Sequence, residues 1–165
     1  MKNVILVGMP GSGKSTIGVV LAKVLGYEFL DTDILIQNRE NRKLSEIIAA
    51  EGTDGFLVIE NDVIKNLNVK RHVIATGGSA IYGEEAMAHL KEIGTVIYLN
   101  IEYEELCERL GDLKARGVVL KDGQTFLRLY EERVPLYERY ADIVIDEKNK
   151  FIREIVDEIA EMDFE

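Results

Sequence analysis

Apolar residues fall along this chain in two rhythms. Short runs rich in Val and Ile recur at Val4–Val7, Phe29–Leu30, His72–Ala75, Thr95–Leu99 and Ile143–Ile145. Between them lie longer stretches with apolar residues at helical spacing, such as Ile17–Leu25 and Ile101–Leu110. No hairpin signal separates the runs. This alternation predicts an α/β fold, a mostly parallel sheet with helices on both faces. Ile101–Leu110 starts acidic and ends with Arg109, which suits a helix dipole. Leu113–Gly123 carries two glycines and mixed charges and fits no regular element, so it is expected to be a mobile loop. Gln124–Glu132 predicts a helix that stops near Pro135, and Arg153–Glu165 an acidic amphipathic helix with a solvated face.

The 165 residues, 47% of them apolar, suffice for one domain with its own core, spanning 1–165. There is no repeat and no linker. The start, MKNVILVG, enters a strand directly, and no apolar run approaches the roughly 20 residues of a membrane span. The single cysteine, Cys107, excludes an internal disulfide framework and is expected to be a core thiol. A net charge of -10 argues against a broad nucleic-acid or anionic-membrane surface, yet leaves room for one positive cleft. The expectation is a cytoplasmic monomer with no nucleic-acid or membrane partner.

The stretch GMPGSGKST, residues 8–16, joins the first strand to the first helix. Gly8-x-x-x-x-Gly13-Lys14-Ser15 is a full Walker A pattern. Successive backbone N–H groups and a helix N-terminus would face a β-phosphate, and glycines permit the backbone that a Cβ would hinder. Lys14 would place a point charge on the β/γ oxygens, and the Ser15 hydroxyl would ligate Mg2+. Gly11, Ser12, Gly13, Lys14, Ser15 and Thr16 are therefore the candidate ATP site. A guanine-nucleotide switch would carry D-x-x-G and N-K-x-D segments; no aspartate has glycine three residues on, and Asn149-Lys150 is followed by Phe-Ile. These absences favour a small kinase.

Ligands of open α/β sheets sit beyond the carboxyl ends of the strands, where Gly8, Asp31, Gly77 and Asn100 fall. In Asp31-Thr32-Asp33 the two carboxylates either point the same way on extended backbone or one caps the next helix. One could hold a magnesium-bound water, and the other could orient or deprotonate an acceptor hydroxyl. A bare surface turn is the bland alternative. Gly77 and Gly78, within Thr76-Gly77-Gly78-Ser79, let a ligand approach the backbone or form a plain turn. Arg133 is either a salt-bridge partner of nearby glutamates or a ligand contact. Arg116 is a solvated loop arginine or one that folds over the transferring phosphoryl group. His72 and His89 have no metal-like partners.

The order GSGKST, LDTD, Phe56-x-x-x-Glu60, TGGS, a loop arginine and RVPLY resembles the shikimate kinase family from Val4 to about Ile145. The resemblance implies a three-layer P-loop kinase fold with a five-stranded parallel sheet, substrate-binding helices at about 33–62 and a mobile lid at about 112–123. It implies transfer of the ATP γ-phosphate, with Mg2+, to the 3-hydroxyl of shikimate. By position it assigns Lys14 and Ser15 to ATP and metal, Asp31 to the metal site, and Asp33 to the acceptor hydroxyls as candidate base. Gly77 and Gly78 fall in the substrate pocket, Arg133 on the substrate carboxylate, Arg116 in the lid and Arg109 against adenine.

Four positions depart from the family pattern. Thr53 stands for the usual glutamate and Leu57 for the usual arginine, the second clamp on the carboxylate. Ser79 replaces the third glycine, and Gly117 follows Arg116 where the family has proline. A kinase of another polyol or sugar acid, such as gluconate, remains an alternative, as does a nucleotide-binding regulatory protein without catalysis. Arg42 and Arg71 are the arginines available as substitutes.

Overall fold

The computed structural model describes residues 2–111 and 123–165. Five parallel strands stand in the order β2-β3-β1-β4-β5: β1 (Asn3–Val7), β2 (Glu28–Asp31), β3 (His72–Ala75), β4 (Gly94–Asn100) and β5 (Ile143–Asp146). The chain returns to each strand through helices α1 (Lys14–Leu25), α2 (Thr32–Glu40), α3 (Leu44–Lys65), α4 (Glu84–Ile93), α5 (Tyr103–Leu110) and α6 (Phe126–Tyr140), and α7 (Ile152–Ala160) follows β5. The five apolar runs are these five strands, with the same bounds at β3 and one or two residues longer at the others.

Alternate residues of the central strands enter two cores. Val4, Leu6, Val73, Ile97 and Leu99 face α1 and α7, while Ile5, Val7, Ile74, Val96 and Tyr98 face the side of α4, α5 and α6. Both faces of β1 are thus fully buried, which is why its five residues show no polar alternation. A third, smaller core of Ile36, Ile47, Phe56 and Val63 joins α2 to α3. It gives the expected substrate-binding region its own packing. Gly52 breaks α3 there, with φ 73 and ψ 176.

Two expectations fail. Helix α6 runs through Pro135 to Tyr140. An internal proline costs about 3 kcal/mol, but Phe126, Leu129, Arg133 and Tyr137 form one buried stripe along the helix, and the packing of that stripe outweighs the break. Cys107 is exposed rather than a core thiol. The inward face of α5 is set by Leu106 and Leu110, four residues apart, and Cys107 lies one residue round from it. Among the described residues no helix is long and apolar enough to cross a membrane.

Candidate active site

The carboxyl ends of β1, β2 and β3 meet in a cleft of about 360 Å³, lined among others by Gly11, Lys14, Ser15, Asp31, Asp33, Gly77 and Gly78. A larger groove of about 650 Å³ lies between α3 and α4, but no residue of the glycine-rich turn reaches it. The chemistry belongs to the smaller cleft, where amides, an ammonium and carboxylates converge.

The turn from β1 to α1 wraps around Lys14. Gly13 caps the helix in the left-handed region at φ 88, which a side chain would strain. The buried ammonium donates to the carbonyls of Gly8 at 2.7 Å and Met9 at 2.9 Å, and to Ser12 Oγ at 3.4 Å. Burial lowers its pKa to about 8, against the pull of Asp33. All three ammonium donors are thus held by the loop's own oxygens, for which a phosphate would compete.

Asp31 resolves the two alternatives of the Asp-Thr-Asp stretch: it caps α2. Its Oδ1 accepts from the backbone N–H of Asp33 at 2.9 Å and Ile34 at 3.3 Å, while Oδ2 accepts from Ser15 Oγ at 2.9 Å. Strand β3 separates β2 from β1, yet this bond ties the two ends together. No three His, Cys, Asp or Glu side chains among the described residues could cage a metal. Mg2+ needs no such cage, because it keeps waters and phosphate oxygens and takes one or two protein oxygens. The Ser15–Asp31 pair fits that demand.

Capping by Asp31 places Asp33 in the first turn of α2, facing Gly77. A Cβ on Gly77 would stand 2.5 Å from Asp33 Oδ1 and 2.9 Å from Glu60 Oε2, so two carboxyl groups crowd one backbone position. The Gly77 N–H donates to the buried Thr32 hydroxyl at 3.1 Å, which fixes the turn. Burial raises Asp33 to about 6, helped by Asp31 and opposed by Lys14. Glu60, fully buried on α3, is pushed by burial to about 8, against a bond from Ser79. That bond, Ser79 Oγ to Glu60 Oε1, is 2.6 Å long, and Oε2 has no hydrogen-bond partner among the described residues.

Gly78 borders the other side. A Cβ there would meet Arg133 Nη1 at 2.8 Å. Its carbonyl accepts from the Tyr137 hydroxyl at 2.6 Å, and Tyr137 stacks on Tyr98. Arg133, only 1% exposed, lies over the Tyr82 ring at 5.4 Å. Arg109 donates to the Gly11 carbonyl at 3.1 Å and to Glu105 at 2.7 Å, and lies 3.6 Å from Glu147. It thereby ties the cradle to α5 and to the tip of β5. Glu147 is nearly buried, and burial raises it to about 7 against Arg109.

The structure therefore brings together Gly11, Ser12, Gly13, Lys14, Ser15 and Thr16 with Asp31, Asp33, Gly77 and Gly78, and sets Arg133 against Gly78 and Arg109 against Gly11. Arg116, Gly117 and nearly all of the expected lid lie outside the described residues. The substitute arginines do not reach the cleft: Arg42 pairs with Glu40 and Glu51, and Arg71 sits over Tyr27 and bonds the Gly26 carbonyl, before β2 begins. In the sequence Glu60 stands only as a motif position without a task, and nothing there singles out Glu147. The signal for Glu60 was a carboxylate four residues after Phe56 and four before Ile64, on an apolar helix face.

The shikimate kinase family model matches residues 10–163. The chain belongs to the shikimate kinase family. It is 36% identical over 162 residues to a Bacillus cereus (strain AH187) shikimate kinase, covering 98% of both chains. It is 38% identical over 160 residues to that of Persephonella marina, covering 96% of this chain and 97% of the relative. Among solved structures, shikimate kinase from Acinetobacter baumannii in complex with shikimate superposes with a TM-score of 0.88 at 34% identity, over 96% of this chain and 90% of that one. Within the family frame the departures cluster: Thr53 and Leu57 line a cavity with Arg133, and Ser79 holds Glu60.

Proposed function

We propose that this chain transfers the γ-phosphoryl group of ATP to the 3-hydroxyl of shikimate. The observation that carries the reading is the shared cleft that sets Asp33 across from the glycine-rich cradle. The cradle amides of residues 11–16 hold the β-phosphate, and Lys14 moves from its own carbonyls onto the β/γ oxygens. Ser15 and Asp31 would hold Mg2+, which when bound neutralises charge on the phosphates.

Asp33 orients the acceptor hydroxyl and takes its proton as the new P–O bond forms and the bond to ADP breaks. The pKa values suit the task. At pH 7 Asp33, at about 6, is mostly ionised, while Glu60, at about 8, is mostly protonated. One base and one neutral acid thus flank Gly77, so two adjacent anions are avoided. Arg133 takes the shikimate carboxylate, Arg109 lies beside the adenine, and Arg116 stabilises charge on the moving phosphoryl group. A cytoplasmic setting goes with this activity.

An ADP-release assay with shikimate as sole acceptor tests the proposal. Saturable, shikimate-dependent release is expected. Absence of it at millimolar shikimate removes shikimate as the acceptor.

A further inference from the structure

Arg133, whose Nη1 lies 2.8 Å from where a Cβ on Gly78 would stand, also walls a cavity of about 30 Å³ with Thr53, Leu57, Tyr82, Gln124, Leu129 and Glu132. Its size admits one small group. Among the described lining residues Arg133 is the one cation and Glu132 the one anion. The Glu132 carboxylate is held in place, accepting from the Tyr82 hydroxyl and from Gln124 Nε2 at 3.3 Å. Leu57 contributes only hydrocarbon. The described side chains of the wall therefore present no net charge to whatever end of the acceptor enters.

A carboxylate in this cavity gains one guanidinium. It also loses water beside a leucine, which disfavours the ion, and it shares the space with a fixed carboxylate. A neutral group that can both donate and accept meets no such opposition: Arg133 donates to it and Glu132 accepts from it.

We infer that this site phosphorylates cyclic polyols whose end beside Arg133 is uncharged, as a carboxamide or a hydroxyl-bearing group, nearly as readily as the carboxylate. The inference rests on the acceptor reading above and widens its substrate class.

The test compares shikimate with its carboxamide, a neutral group of the same shape, using the full-length wild type and two variants, Leu57→Arg and Leu57→Met. For the wild type, kcat/KM for acid and amide should agree within about tenfold, the weight of 1.4 kcal/mol. Leu57→Arg should shift the ratio towards the acid by about 10- to 150-fold, the worth of one charge-assisted hydrogen bond. That shift should appear in acceptor KM, with ATP KM unchanged. Leu57→Met should leave the ratio where it was. A wild type that prefers the acid by about 100-fold or more overturns the inference and leaves the shikimate reading standing. So does a Leu57→Arg ratio equal to wild type. Turnover of neither acid nor amide by the wild type rejects both.

Discussion

The two ends of the cleft are built from different material. The proposed nucleotide end is mostly backbone: amides of a glycine-rich turn, a helix N-terminus, and two side chains, Lys14 and Ser15. The proposed acceptor end draws on side chains from four separate segments: Asp33 on α2, Glu60 and Leu57 on α3, Ser79 after β3, and Arg133 on α6. The glycine-rich turn matches its full pattern, while every described departure from the family pattern, at Thr53, Leu57 and Ser79, falls on the proposed acceptor side. Arg133 illustrates the dependence, for its guanidinium lies over Tyr82 and beside Gly78, which belong to other parts of the chain.

Variants can break this contrast, beginning with the strongest. Lys14→Met should lower kcat by about 10³-fold, the scale of losing a group aimed at developing charge. Circular dichroism should show an intact fold; near-normal turnover would mean that the cradle does not hold the phosphates. Asp33→Asn should lower kcat by about 10²-fold or more while ATP affinity holds. Wild-type kcat/KM should accordingly rise with pH through about 6, as the Asp33 carboxyl ionises. A flat profile there would remove its role as base.

Arg133→Lys should raise acceptor KM by about tenfold or more and leave ATP KM alone. Equal damage to both constants would merge the two ends into one. Gly77→Ala should raise acceptor KM by about tenfold, because the new methyl meets Asp33 Oδ1 at 2.5 Å.

The smallest effect is on stability. Glu60 titrates near 8 in the folded chain against an ordinary 4.5, so its protonated form favours folding. That contribution is complete below about pH 4.5 and disappears as pH rises through 8. Lys14, lowered from 10.5 to about 8, alters stability only above that window. Tm should therefore fall between pH 5 and 8, and less steeply in Glu60→Gln. Parallel slopes in the two proteins would show that Glu60 is not the group responsible.

How much the sequence discloses follows the same divide. The strands and the turn are local: Val4–Val7 and GMPGSGKST can be read without knowing what lies beside them. Asp31 was ambiguous because extended and capping conformations have the same residue spacing, and only its bonds to Asp33, Ile34 and Ser15 decide. Pro135 misleads as a local stop signal because the packing that carries α6 past it involves Tyr98, far away in the chain. The Ser79–Glu60 bond joins residues 19 positions apart, and no periodicity announces it.

A crystal structure of the chain with ADP, Mg2+ and shikimate tests the central claim most directly. The account predicts the 3-hydroxyl within about 3 Å of an Asp33 carboxylate oxygen, hydrogen-bonding distance, with the ring over Gly77 and its carboxylate towards Arg133. A ring seated in the groove between α3 and α4, or in the cleft with its hydroxyls turned from Asp33, would contradict it.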